Sequence, residues 1–177
     1  KYLDHCKDVY AKFNCNQVVF IGDIIDGHGW SYHEHDPDGM SAGDELSLAI
    51  KRVARWYKAF PVADVCTGNH DRLASRKAFS GGVPKAWING YNDVLKTPKW
   101  NWVESIVYDN VCYEHGEGGD AYKKAQQNMQ SSVCGHTHTK AGVQYFVGKK
   151  YKVFGFQVGC GVNEKTYAAA YAKNFRR

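Results

Sequence analysis

At 177 residues, with 44% hydrophobic, 14% aromatic and 23% charged residues, the chain is long enough to bury a substantial core and too apolar to remain disordered. It carries no run of about 18 apolar residues, which excludes a membrane-spanning helix. The formal charge of +5 admits anionic partners, but the basic residues are dispersed, so an ordinary surface of solvated lysines explains the excess equally well.

Residues 1–13 place Tyr2, Leu3, Cys6, Val9, Tyr10 and Phe13 at helical spacing among polar residues, which predicts an amphipathic helix packed on a sheet. Asn14-Cys15-Asn16 ends it. Val18 to Ile21 then read as a short β-branched strand buried on both faces, turning at Gly22 to deliver Asp23 and Asp26 into a loop. The loop from Gly27 to Gly39 is dense in histidine and aromatic residues. His28, nearest the carboxylates, is its expected substrate contact, whereas His33 and His35 read either as rim residues or as solvated side chains. Ser41 with Asp44 marks a helix start, and Leu46, Ala49, Ile50, Val53 and Tyr57 form its buried stripe toward Phe60.

Val62 to Thr67 form a second buried strand that breaks into Gly68-Asn69-His70-Asp71-Arg72. A short helix is expected from Ala86 to Leu95. Trp100 to Tyr108 and Val111 to Glu114 read as a hairpin turning at Asp109-Asn110, its second strand running into His115-Gly116. A polar helix from Asp120 to Met129 precedes Ser132-Val133-Cys134, which ends in Gly135-His136-Thr137-His138. Val143 to Val147 and Tyr151 to Val158 read as the closing strands, followed by Gly159-Cys160-Gly161 and an aromatic, alanine-rich end. No repeat or linker interrupts the chain, so residues 1–177 read as a single domain. The cysteines (Cys6, Cys15, Cys66, Cys112, Cys134 and Cys160) form no C-x-x-C pair. They are read as reduced core residues of a cytoplasmic protein rather than as a disulfide framework or a structural zinc site.

Four strand ends thus present Asp23 with Asp26, Asn69 with His70, His115, and His136 with His138. Taken singly, His115 is as readily a structural histidine as a ligand, and H-x-H is a weak signal. Together, this mixture of carboxylate, amide and imidazole suits divalent transition metals.

GDIID at 22–26, GNHD at 68–71, the isolated HG at 115–116 and GHTH at 135–138 resemble, in this order, the signature series of the calcineurin-like metallophosphoesterases. The resemblance spans Gly22 to His138. It implies an α/β fold, a sandwich of two mixed β-sheets flanked by helices, with a two-metal centre at the strand ends. It also implies hydrolysis of phosphate monoesters or diesters by a metal-bound hydroxide. The substrate would be a phosphorylated small molecule, a nucleotide or a nucleic acid, and no membrane or obligate protein partner is expected.

Position by position, the resemblance implies that Asp23 bridges two divalent ions (manganese, iron, zinc or similar). Asn69, His115 and His136 would complete one site, and His138 would bind the other ion. His70, its ring held by Asp26, would stabilise or protonate the leaving group, and Asp71 and the glycines would shape the loops. A bridging carboxylate can hold two cations about 3.5 to 4 Å apart, and the imidazoles of H-x-H project to one side of an extended segment. Arg72 and Arg76 suit either phosphate oxygens or surface ion pairs, while Trp30, Tyr32 and Trp87 read either as base-stacking groups or as core.

One motif of the family has no counterpart. The opening Asp-x-His, which supplies two ligands to the ion bound by His138, is absent, and Asp4-His5 has the wrong spacing. Nor does a strand precede the first helix. Two expectations follow: the chain lacks an N-terminal stretch bearing the first strand, or the second site is weak and only one ion is held tightly. The second leads to an alternative function, a non-catalytic scaffold for a single metal ion.

Overall fold

A computed structural model describes residues 1–35 and 38–161, which form an α/β structure with five α-helices and two sheets of three and five strands. Asp36 and Pro37 of the histidine-rich loop lie outside the described residues, as does the aromatic, alanine-rich end. Helix α1 (Tyr2–Lys12) has Asp4 in its first turn and Lys12 in its last, matching the helix dipole. It buries no residue fully. It docks through Tyr2 and Tyr10, whose rings meet Trp56 and Phe60 edge-on at 5.5 Å.

Strand β1 (Val19–Phe20) is only two residues long and half-buried, not buried on both faces as expected. Among the described residues it is the outer strand of the first sheet, and there only β2 (Ala63–Cys66) covers its ladder. The central β2 is wholly buried and runs parallel to both β1 and β3 (Trp100–Val103). Helix α2 (Ala42–Ala59) starts where expected, with the Ser41 hydroxyl accepting from the Asp44 N–H at 3.1 Å. Its Val53 joins Ala63, Val65, Leu95 and Trp100 in the core behind this sheet.

A helix unforeseen in the sequence, α3 (Leu73–Ser80), follows the Asn69-His70 loop. The single helix expected from Ala86 to Leu95 is instead a 3-10 turn (Lys85–Trp87) and α4 (Tyr91–Leu95), separated by extended backbone at Ile88 and Gly90. The long strand expected from Trp100 to Tyr108 is also broken: at Glu104 the chain leaves the first sheet, and β4 (Ser105–Tyr108) enters the second. The hairpin is therefore β4 with β5 (Val111–Glu114) alone. Its turn residues Asp109 and Asn110 have φ of +49° and +61°, the left-handed pair of a type I′ turn.

Helix α5 (Ala121–Asn128), capped by Asp120, leads to β6 (Ser131–Cys134), and β7 (Ala141–Gly148) and β8 (Tyr151–Val158) complete the order β4-β5-β6-β8-β7. This sheet is mixed, β5-β6 and β6-β8 being parallel and the outer pairs antiparallel. The first sheet, by contrast with the expectation of two mixed sheets, is parallel throughout. Helix α5 lies directly on β8, where a Cβ at Gly155 would stand 2.5 Å from the Ala121 carbonyl oxygen, and its Ala121 and Ala125 are fully buried. Of the cysteines, all free, Cys66 and Cys134 are buried; Cys6, Cys15 and Cys112 are half-buried and Cys160 is exposed, so only part of the set belongs to the core. Among the described residues no helix is long and apolar enough to cross a membrane.

Candidate metal centre

The two sheets meet where β1, β2, β5 and β6 end. Each of these strands runs into a polar loop, and parallel pairing within β1-β2 and β5-β6 puts neighbouring loops side by side. The seam is closed by His115, whose Nδ1 lies 2.7 Å from the Ile21 carbonyl. Gly22 makes the approach possible: its φ is +87°, and a Cβ there would lie 2.7 Å from both the Cys66 carbonyl and His115 Nδ1.

A carbonyl oxygen only accepts, so Nδ1 of His115 carries the proton and the neutral ring presents a lone pair at Nε2. Around that atom stand Asn69 Oδ1 at 3.0 Å, His136 Nδ1 at 3.1 Å and Asp23 Oδ2 at 3.1 Å, while Asn69 Oδ1 and His136 Nδ1 are 2.9 Å apart. Lone-pair atoms converging in this way repel unless a proton or a cation lies among them. Separations of about 3 Å are also what bonds of about 2.1 Å at right angles around one ion would produce. Two imidazoles, a carboxylate and an amide oxygen therefore fit a divalent transition metal, and Asp23, His115 and His136 form the group of metal-competent side chains found among the described residues.

The electrostatics agree with that shape. Burial pulls the His115 pKa down, but the Asp23 carboxylate outweighs it and holds the ring above its ordinary value, so a proton is favoured where a cation would sit. Burial works against Asp23 too, yet His115 and then His70 leave it below the usual carboxylate range. His136 is lowered by burial and by the neighbouring His115. Both Asp23 and His136 adopt left-handed backbone, φ +52° and +62°, a conformation that non-glycine residues keep only where their surroundings impose it.

What imposes it on Asp23 is Asp71, which is 2% exposed. One oxygen of Asp71 accepts from the Asp23 and Gly68 N–H groups at 2.9 and 2.8 Å, and the other accepts from Ile24 at 3.0 Å and Ile25 at 3.4 Å. One buried carboxylate thus ties the β1 loop to the β2 loop. Burial pushes its pKa up to about 6 against these donors. The His70 N–H in turn donates to Asp23 Oδ1 at 3.0 Å. The His70 ring stands outside the cluster of lone pairs, with Nδ1 2.6 Å from the Asp26 carbonyl and 3.4 Å from its carboxylate, and the Asp26 carboxylate chiefly raises its pKa to about 9.

Other expected site residues are placed differently. His138 is exposed and joins no group of three metal-competent side chains among the described residues. His28, expected as a substrate contact, is 4% exposed, and its ring packs edge-on against His35 at 5.4 Å. Arg72 does not offer its guanidinium to an anion: it is ion-paired with Glu104 and Glu117 and donates to the Thr67 carbonyl at 3.0 Å. It lines a cleft of about 220 Å³ with those carboxylates, Glu114 and His115.

Two supporting residues escaped the sequence reading. Gln157, fully buried on β8, accepts from the Ala121 N–H at 3.0 Å and donates to the Gly135 carbonyl, which steadies the residue before His136. Glu45 accepts from the His28 and Gly29 N–H groups at 2.9 and 2.6 Å, pinning the 3-10 turn His28–Trp30 to α2. A polar residue at an expected apolar position was the available signal for Gln157, and Glu45 flanks the buried stripe of α2. No family model matches the chain, and no curated protein matches it. What the centre can do follows from its own atoms.

Proposed function

We propose that the protein is a metal-dependent phosphoesterase of the calcineurin-like type, acting on phosphate monoesters or diesters. The observation that carries this reading is the convergence of Asp23, Asn69 and His136 on the lone pair of His115 Nε2, with His70 standing beside the cluster but outside it. We infer with it that the two sheets form the sandwich of that family. These four side chains would hold a divalent ion, which would supply Lewis acidity for activating water and neutralising charge at phosphorus. The residues of the chain do the rest. Asp26 holds the proton on His70 Nδ1, leaving Nε2 to give a proton to the departing oxygen. Asp71 keeps Asp23 and Gly68 in register, and His115 closes the seam between the sheets.

The test is hydrolysis of nitrophenyl phosphate and bis-nitrophenyl phosphate by the full chain, with manganese or zinc added and with chelator. Turnover of at least one ester that requires the metal is expected. The His70→Ala variant is expected to lose roughly 100-fold in kcat while binding metal as before. Loss of metal in that variant would make His70 a ligand and overturn its assigned role.

A second reading, a scaffold that holds one ion without turnover, draws support from the isolation of His138 from the cluster. Both readings predict about one tightly bound ion per chain after dialysis, because four protein ligands serve one ion and no comparable set serves another among the described residues. His136→Ala should lose that ion and His138→Ala should keep it. Two firmly held ions by elemental analysis would contradict this, and metal-dependent turnover separates the enzyme from the scaffold.

A further inference from the structure

Beyond the metal centre, the stretch from α3 through the 3-10 turn Lys85–Trp87 stands out for what it leaves in solvent. Phe79 is 86% exposed and Trp87 80% exposed, and Trp87 is the one tryptophan of five assigned to the exposed class. Of the two readings open for Trp87, this exposure removes the core one. Residues 73–90 contain Arg76, Lys77 and Lys85 and no Asp or Glu, and none of these three cations makes an ion pair among the described residues. Two exposed aromatic rings beside cations that carry no ion pair among the described residues make a surface suited to a partner that offers both apolar faces and anions.

A second observation connects this surface to the centre. The ring of Tyr32, itself 56% exposed, lies under both cations of α3, with the Lys77 ammonium 4.9 Å and the Arg76 guanidinium 5.6 Å from its centroid. Tyr32 belongs to the loop that begins after Asp26, and α3 begins three residues after His70. The Tyr32 end of the basic and aromatic track and the first turn of α3 therefore grow out of the two loops that meet at His70 and Asp26.

We propose that Phe79, Trp87 and Tyr32, with Arg76, Lys77 and Lys85, form a binding platform for single-stranded nucleic acid leading to the metal centre, an inference that rests on the phosphoesterase reading and names its substrate class. Every base has a face that stacks on an exposed aromatic ring, and every linkage carries an anion for a neighbouring cation, so interleaved aromatic and basic side chains suit this polymer without sequence preference. Free phosphate would use the cations and leave Phe79 and Trp87 unused. A lipid surface is the less apt occupant, because Gly81-Gly82 and the cations interrupt the apolar groups, whereas interfacial helices present a continuous apolar face.

The test is fluorescence anisotropy of a dye-labelled oligothymidylate of about 15 nucleotides, which spans a site of the usual size. The full chain is used in chelator, so that binding is read without metal and without hydrolysis. Binding that weakens steeply with salt is expected. Trp87→Ala and Phe79→Ala should each weaken it by about 5-fold to 100-fold, the range of one lost stacked base. Lys85→Ala should weaken it and lower the salt slope by about one. These side chains are exposed, and unchanged urea midpoints would show that the variants fold. Absent binding at low salt, or binding indifferent to Trp87 and Phe79, would overturn the platform. So would Trp87-dependent binding to phosphatidylserine vesicles without binding to the oligonucleotide, which would assign the surface to a membrane. A wild-type chain that binds the oligonucleotide but hydrolyses no ester would instead defeat the phosphoesterase reading.

Discussion

Asp23→Asn is expected to remove the tightly bound metal and to lower ester hydrolysis by roughly 1000-fold or more, while the protein remains folded. The asparagine Oδ1 can still accept from the His70 N–H, now at 3.0 Å to Asp23 Oδ1, and the four bonds to Asp71 are untouched, so the loop keeps its ties. At the Oδ2 position, however, the 3.1 Å contact to His115 Nε2 would come from an NH2 group, which offers protons where the ion requires an electron pair. The site also loses its one negative charge. A cation at the reacting phosphoryl group contributes several kilocalories of transition-state stabilisation, and each 1.36 kcal/mol or so is tenfold in rate, hence the expected size. Calorimetric titration with manganese or zinc, a urea melt and the nitrophenyl assay check the prediction together. A folded variant with undiminished turnover would remove Asp23 from the centre.

Asp71→Ala is expected to act through the backbone. It deprives four N–H donors of their acceptor at once, at Asp23, Ile24, Ile25 and Gly68. Each such loss costs about 1 to 3 kcal/mol when water cannot take over. Part of this is returned, because the carboxylate pays a burial penalty, seen in its pKa of about 6, that alanine does not. The net loss should be about 2 to 4 kcal/mol by urea unfolding, with metal affinity falling about 10-fold to 100-fold as the left-handed Asp23 relaxes. Asp71→Asn should fall between, since its amide keeps one oxygen for the donors and turns an NH2 group toward the rest. A melt within error of the wild type would show that the loops are held by something else.

Much of the architecture follows from local pattern. The Ser41 cap with the stripe through Val53, the Asp120 cap of α5, the left-handed Asp109-Asn110 turn and the strands carrying Val65 and Val133 are short-range consequences of side-chain spacing and backbone preference, and all lie near their expected places. The errors lie where the pattern is silent about partners. The sequence from Trp100 to Tyr108 looks like one strand because its β-forming residues are continuous; that it changes sheets at Glu104 depends on which ladders have room for it. The two faces of β1 looked buried because an apolar run does not say whether a strand is central or outermost.

The same division holds at the centre. By itself the sequence determined which residue types end four strands, because a carboxylate, an amide or an imidazole directly after an apolar run and a tight turn is a local arrangement. Only the tertiary structure decided that Asp23, Asn69, His115 and His136 share one point while His138 stands apart. It also buried His28 under Glu45 and α2, bound Arg72 between two glutamates, and left Trp87 in solvent. The physical reason is range: caps, turns and strand spacing act over a few residues, whereas the contact between His115 and Ile21 joins positions 94 residues apart and exists only once both sheets have formed and met.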